Sequence, residues 1–357
     1  MKSLSLNELL RHLPRDFIDR LYKDFPAPVV ERILRGMAVT RPVTIRVNRL
    51  KEAGSFDAGV GAVTAAMTGA GVDAAGAVRA ELAGQGIDTE PVAWYGDALV
   101  VTTLGVSERH LAATPAYKEG RIYLQSLSSM LPPLVLAPQP GERVLDLTAA
   151  PGSKTTQMAV MMENTGEIVA CERNPIRLGR LQHNLRVQGV TIARTVQTDA
   201  TQLGRRQRVR QDPQQDLLQG WQAFDRVLLD APCSGEGLFL LETPRSYQYW
   251  TPAMVEKLAA LQRRLFASAW EALRPGGVLV YSTCTLSRAE NEDVIAWVLR
   301  RYSGTLEVEP CRIRIADPSG VPREVLVTEV LPEALAAGTD RSEERRVGKE
   351  CRSRWSP

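Results

Sequence analysis

One stretch, Val144-Leu145-Asp146-Leu147-Thr148-Ala149-Ala150-Pro151-Gly152-Ser153-Lys154-Thr155, constrains this chain more than any other. A short run of β-formers gives way to small residues, Pro and Gly, and then to a helix-like segment beginning near Ser153. That order predicts strand, tight turn, helix, the first unit of a nucleotide-type α/β domain. Small residues at such a turn let a ligand approach the backbone, and the helix start offers free N–H groups to its polar atoms. The order argues against a phosphate-gripping P-loop, because Ser153 precedes Lys154 and Thr148 stands where the loop's first Gly belongs. The remaining alternative, an ordinary turn in a parallel sheet, is weakened by the residues at the ends of the later strands.

From Gly141 onward strand and helix alternate, which argues for a parallel sheet covered on both faces. Residues 166–172 read as its second strand and end in Glu172. An acid about 20 residues past the turn can accept hydrogen bonds from ribose hydroxyls. A helix is expected over 174–188 and a third strand over 192–197, with Asp199 at its end, where a side chain could meet an adenine amino group. The fourth strand, 224–230, runs into Asp230-Ala231-Pro232-Cys233-Ser234-Gly235. A fifth, within 274–285, runs into Ser282-Thr283-Cys284-Thr285, and Glu290-Asn291-Glu292 follows at the next helix start. Both turns fall at the carboxyl edge of the sheet, where ligands of open α/β sheets bind. A single cysteine there is more often a small buried hydrophobe than a reactive thiol. Two beside the same turn point to chemistry, and spacing alone leaves open which of them reacts.

The N-terminal part is organised differently. Residues 4–36 read as helices broken at Pro14, and 43–48 as a strand with Val43, Ile45 and Val47 on one face and Thr44, Arg46 and Asn48 on the other. Polar donors in a row could grip a nucleic-acid backbone, so Arg46 and Asn48 are candidate RNA contacts; a solvated edge strand is the equal alternative. Residues 51–86 are Ala- and Gly-rich, with a helix expected over 77–82, and 94–103 reads as another strand. Residues 117–126 read as a strand entering a Ser-rich helix start that packs beside the cofactor domain, and Pro-rich 132–141 as the approach to the central strand. The Arg- and Gln-rich segment 204–219 reads most simply as a solvated loop, with an RNA-backbone contact as the alternative.

Composition narrows the class. In 357 residues no apolar run approaches the roughly 18 that suggest a membrane span, and the N-terminus lacks a secretory pattern, so a cytoplasmic protein is expected. The five cysteines are scattered without metal-ligand spacing and there are only three histidines, so no metal is expected. A net charge of +3 permits nucleic acid without pointing to it.

On residues Asp146 to Thr155, Asp230 to Gly235, Ser282 to Thr285 and Glu290 to Glu292, the sequence resembles the S-adenosylmethionine-dependent RNA cytosine-5 methyltransferases of the Sun (NSUN) group. The Pro-Cys and Thr-Cys turns in that order are the group's distinguishing mark. The similarity is strong over 115–299 and weaker over 9–50, and among bacterial members it is greatest to the ribosomal-RNA enzymes. The resemblance implies an α/β fold: a Rossmann-like methyltransferase sheet with a small N-terminal α/β RNA-binding module. The expected divisions are 1–112 for that module, 113–303 for the methyltransferase domain, 304–340 for a shortened C-terminal extension with a final hairpin, and 341–357 for a non-native tail of abruptly different composition. It further implies S-adenosylmethionine as cofactor, held by Thr148, Ala149, Ala150, Pro151, Gly152, Ser153, Lys154, Glu172, Asp199 and Asp230. Thr148 departs from the Cys often found in relatives, at a position expected to meet the ligand through its backbone.

Cytosine C5 is too poor a nucleophile to take the methyl group unaided, so a thiolate first adds to C6. The resemblance implies that Cys284 is that nucleophile and that Cys233 assists product release, while Asp230 stands in the right turn to favour addition by placing a proton near N3. The expected partner is RNA, ribosomal before transfer, acted on by a monomer. A non-catalytic RNA-binding assembly factor is the rival from another class. An amino-group methyltransferase would carry Asn/Asp-Pro-Pro-Tyr/Phe in place of 230–233.

Overall fold

The computed structural model describes residues 10–51, 74–203, 224–316, 322–327 and 351–355. Helices α1 (Arg15–Asp24) and α2 (Ala27–Met37) each follow a proline, Pro14 and Pro26, whose fixed φ suits a helix entry. Their apolar stripes bury Phe17 and Leu21, and Val30, Ile33, Leu34 and Met37. These do not form a core of their own. They pack against Phe239, Leu241, Tyr247, Trp250 and Leu286, in the segments that follow the two cysteine turns.

The next elements are β1 (Thr44–Val47), α3 (Ala74–Gly84), β2 (Thr89–Val92), β3 (Tyr95–Val101), the short helices α4 (Glu108–Ala112) and α5 (Pro115–Lys118), and β4 (Ile122–Leu124). The four strands make an antiparallel sheet of order β2-β3-β1-β4. The strand expected over 94–103 is the second arm of a hairpin with β2, and the pairing of β4 with β1 carries this sheet past residue 112.

Then come α6 (Leu127–Leu136), β5 (Arg143–Asp146), α7 (Ser153–Met161), β6 (Glu167–Glu172), α8 (Pro175–Val187), β7 (Ala193–Gln197), β8 (Phe224–Asp230), α9 (Pro252–Ala272), β9 (Leu273–Ser282), α10 (Glu292–Arg301), β10 (Leu306–Glu309), β11 (Arg312–Ala316), β12 (Pro322–Leu326) and β13 (Cys351–Trp355). Pro132 and Pro133 lie inside α6 rather than ahead of it. Pro133 has no N–H for the Ser129 carbonyl, and Gln125 Nε2 supplies the missing donor at 3.1 Å.

The second sheet has the order β10-β13-β9-β8-β5-β6-β7, and its strands β9, β8, β5, β6 and β7 run parallel. Alternation along these strands builds two cores. Val144, Ile168, Leu228 and Val280 face α6 and α7, while Leu145, Val169, Leu229 and Tyr281 face α9 and α10. The chain passes from β5 to β6 and β7 on one side, then returns to lay β8 and β9 on the other. That reversal opens a crevice at the carboxyl ends of β5 and β8.

The C-terminal region differs from expectation. Leu306 to Ile315 do not make one hairpin: β10 joins the large sheet, and β11 pairs with β12 instead. Residues 351–355, set apart by composition, pair antiparallel with both β9 and β10. A sheet edge recruits a strand through its backbone donors and acceptors, which an aperiodic sequence also carries. The segment 204–219 lies outside the described residues.

Candidate active site

The turn between β5 and α7 lines a cavity of about 240 Å³, whose wall includes Thr148, Ala149, Ala150, Pro151, Ser153 and Lys154. Gly152 starts the helix at φ 109, and a Cβ there would come within 2.9 Å of Leu181 Cδ1, so only glycine fits this bend against α8. The opposite wall is made by Asp230, Ser282, Thr283 and Cys284, and the Ser126 helix start adds Ser128 and Ser129.

Lys154 Nζ reaches across the crevice to Asp230 Oδ2 at 2.7 Å and to Ser129 Oγ at 2.8 Å. Burial works against the ammonium charge, but Asp230, with help from Cys284 and Asp146, outweighs it and the lysine titrates above its ordinary range. Asp230 Oδ1 accepts from Ser282 Oγ at 2.8 Å, so both carboxylate oxygens are oriented. The Thr148 hydroxyl donates to the Asp230 carbonyl at 2.8 Å, tying the two turns together. Asp146, fully buried at the end of β5, has its carboxyl pushed up to about 6 by burial, against the opposing hydrogen bond from Thr155 Oγ1.

The two cysteines meet. Cys233 Sγ lies 3.1 Å from Cys284 Sγ and accepts the Cys284 N–H at 3.2 Å. Cys284 lines the cavity and Cys233 does not. The hydrogen bond with Cys284, followed by burial, holds the Cys233 thiol well above its ordinary range. Cys171, buried in β6, is lifted to about 12 by burial and is a core residue.

Glu290 and Asn291 hold this pair of turns. Glu290 accepts the Ser234 N–H at 2.9 Å, the Ser234 hydroxyl and Gln262 Nε2 at 3.0 Å. Asn291 takes the Thr283 hydroxyl at 2.6 Å and donates to the carbonyls of Thr285 and Ser287. Burial raises the Glu290 carboxyl, against the hydrogen bonds from Ser234. Behind them Glu236, fully buried, receives Arg20 NH2 at 2.6 Å, Trp250 Nε1 at 2.9 Å and the Leu286 N–H at 3.2 Å. Gly237 N–H donates to the Cys284 carbonyl at 3.0 Å, so the N-terminal helices brace the Thr-Cys turn.

Glu172 and Asp199 sit at the ends of β6 and β7 but outside the lining of this cavity. Glu172 Oε1 accepts the Asn174 N–H at 2.7 Å and Oε2 faces Arg177 at 3.3 Å. Arg177 also donates to the Ala150 carbonyl at 2.6 Å, spanning from the turn to the acid. Asp199 takes the Thr201 N–H and hydroxyl; burial raises its carboxyl, and these bonds outweigh that and lower it.

Arg46 and Asn48 require a correction: the structure buries both completely. Arg46 donates to Gln125 Oε1 at 2.9 Å and Thr156 Oγ1 at 2.8 Å, and Asn48 Nδ2 to the carbonyls of Gly120 and Gln188. The polar face of β1 is covered by Gln125, Thr156 and Gln188, so these donors bond within the protein instead of facing solvent. Sequence reasoning also missed Arg177, Ser129 and Glu236; only Arg177, five residues past the strand-ending acid, carried a positional signal. Among the described residues no group of three His, Cys, Asp or Glu is placed to hold a metal ion, and no helix is long and apolar enough to cross a membrane.

A five-strand parallel sheet with a glycine turn at its point of reversal, facing two polar turns, is the fold of S-adenosylmethionine-dependent methyltransferases. The chain belongs to the family described as 16S rRNA methyltransferase RsmB/F, whose model matches residues 133–334, more than half of the chain. It is 40% identical over 223 residues to the ribosomal RNA small subunit methyltransferase F of Klebsiella pneumoniae (strain 342), covering 62% of this chain and 44% of that protein. It is 38% identical over 232 residues to the tRNA (cytosine(49)-C(5))-methyltransferase of Pyrococcus abyssi, covering 65% of this chain and 69% of that protein. The chain thus spans less than half the length of that ribosomal-RNA relative. The crystal structure of a methyltransferase homologue from Pyrococcus horikoshii matches 99% of this chain and 100% of its own with a TM-score of 0.69 at 29% identity.

The residues present fit the family's cofactor. Ala149 and Ala150 leave the cradle open, and the first N–H groups of α7 could receive the anionic end of such a ligand. Asp146 and Asp230 line the same cavity and suit a cationic ammonium and sulfonium.

Proposed function

We propose that the chain methylates carbon 5 of cytidine in RNA with S-adenosylmethionine, ribosomal RNA being the first substrate class and transfer RNA the second. The observation that carries this reading is the meeting of Cys284, Lys154 and Asp230 on one cavity beside the 148–154 turn. The names of the ribosomal- and transfer-RNA relatives support the substrate class. When bound, the cofactor supplies a methyl group activated by a sulfonium; the turn and the α7 N-terminus would hold its amino-acid end, and Glu172 its ribose.

Cys284 adds as a thiolate to C6 of the cytosine, favoured by the Lys154 charge nearby. As the ring accepts the electron pair, a proton passes to N3 from the Lys154 ammonium by way of the Asp230 carboxylate, which Lys154 and Ser282 orient, and C5 becomes nucleophilic. After C5 has gained its methyl group, a base takes the C5 proton, the C5–C6 double bond re-forms as the C6–S bond breaks, N3 gives back its proton, and Cys284 departs as a thiolate. Cys233, kept as a thiol beside it, assists that departure. The cavity is too small to admit a stacked helix, so the target base must leave any stack.

The test is incubation with methyl-labelled cofactor and unmodified ribosomal or transfer RNA, followed by nucleoside mass spectrometry. Label in 5-methylcytidine is expected. Label in an N4-methyl product would refute the chemistry, and RNA binding without transfer would place the chain among non-catalytic assembly factors.

A further inference from the structure

A second cavity, of about 420 Å³, opens where the N-terminal sheet meets α8, lined by Tyr117, Lys118, Tyr123, His183, Asn184 and Gln188. No step of methyl transfer uses it. Pro151 lines both this cavity and the cofactor cavity, so the two share one wall.

Its floor carries an unmet hydrogen bond. Gln188 is only 3% exposed, and its Nε2 donates to the Ile122 carbonyl at 3.2 Å, which fixes the amide so that Oε1 is the acceptor. Oε1 is buried with no hydrogen-bond partner among the described residues. A buried acceptor in that state takes its donor from an ordered water or from a molecule bound in the cavity. Tyr117 and Tyr123 line the same cavity. Asn184 Nδ2 donates to Tyr123 Oη at 3.1 Å and to the Pro151 carbonyl at 2.8 Å, which couples this cavity to the catalytic turn.

The rim is basic. Lys118 and His183 are exposed, and α8 carries Arg177, Arg180 and Arg186 with no acidic residue. A Cβ on Gly120, in the turn leading into β4, would collide with the Val187 carbonyl oxygen, so this turn packs directly on α8. Aromatic faces for a base, cations for its phosphate and one unsatisfied acceptor for an exocyclic amino group are what an unpaired nucleotide requires.

We infer that this cavity is a subsite for an unpaired nucleotide of the RNA substrate, outside the reacting cytidine and held in register with it through Asn184 and Pro151. The inference deepens the reading of the chain as an RNA methyltransferase and rests on it for the identity of the ligand.

The test uses the full chain and an in-vitro transcript of small-subunit ribosomal RNA substituted with 4-thiouridine. Irradiation should join the RNA to a peptide containing Tyr117 or Tyr123. The double variant Lys118→Ala/His183→Ala, confined to exposed side chains, should raise Kd for the transcript about tenfold and flatten its salt dependence by about one phosphate contact. Gln188→Leu should weaken binding of the transcript by about tenfold without changing Kd for the cofactor measured in the absence of RNA. RNA bound at unchanged affinity by both variants, with no crosslink in either tyrosine peptide, overturns the subsite. If the parent methylates C5 and that result is obtained, the subsite alone fails. If the crosslink and the affinity losses appear but no 5-methylcytidine forms, the subsite stands and the catalytic reading fails.

Discussion

Cys284 and Cys233 stand 3.1 Å apart, sulfur to sulfur, and the Cys284 N–H points at Cys233 Sγ. One thiol borders the cofactor cavity beside Lys154, and the other sits behind it, held protonated by its neighbour and by burial. On the proposed reading, this asymmetric pair divides the work between bond formation and bond cleavage.

The division predicts opposite phenotypes. Cys284→Ser should lower methyl transfer by about 10³-fold or more and form no protein–RNA adduct. Cys233→Ser should accumulate an adduct that survives denaturing electrophoresis, because addition proceeds while release is slowed. Adduct in Cys284→Ser but not in Cys233→Ser would exchange the two roles.

Lys154 is the cation that Asp230 and Cys284 share. Lys154→Met removes that charge and leaves the Asp230 carboxylate with the Ser282 hydroxyl as its donor. Single-turnover methyl transfer should fall by about 10²-fold, with partial recovery in Lys154→Arg. A Met variant transferring at the parent rate would remove the lysine from the mechanism.

Glu290 joins the Pro-Cys turn, through Ser234, to α9 through Gln262. Glu290→Ala leaves the Ser234 N–H buried without its acceptor. Stability should fall by about 2–4 kcal/mol in urea unfolding, and Glu290→Gln should recover part of it. Activity should drop in step with the loosened cysteine turns. An alanine variant as stable as the parent would show that Glu290 does not hold them.

Much of this arrangement was legible in the sequence, for identifiable reasons. Strands β5 to β9 are short apolar runs ending in turn residues, and their alternation with helices specifies a parallel sheet whatever the partners. The Pro-Cys and Thr-Cys turns were found because strand ends at a parallel sheet's carboxyl edge converge. Partners across the domain boundary were not legible. The alternation of β1 correctly put Arg46 and Asn48 on one face, but a period of two says nothing of what covers that face, and here it is α7, α8 and Gln125. Arg20 and Glu236 are likewise joined only by tertiary packing.

Asp146 gives the fold a defined pH response. Its carboxyl titrates near 6 in the folded chain, against an ordinary 3.8, so between these values the native state binds the proton that the unfolded state releases. Stability from this group is therefore full below about pH 4, declines as pH rises toward 6 by on the order of 3 kcal/mol, and is flat above. Asp146→Asn should lack this decline. Urea unfolding of both proteins from pH 4.5 to 7.5 should give curves that diverge; parallel curves would contradict the assignment.

The central claim is a covalent bond between Cys284 and C6 of an RNA cytosine. Incubation of the chain with S-adenosylmethionine and RNA containing 5-fluorocytidine blocks loss of the C5 substituent and should arrest the reaction as an adduct. Peptide mass spectrometry is predicted to find the nucleotide on Cys284. Its absence from that sulfur, with 5-methylcytidine still formed on ordinary RNA, would contradict the account.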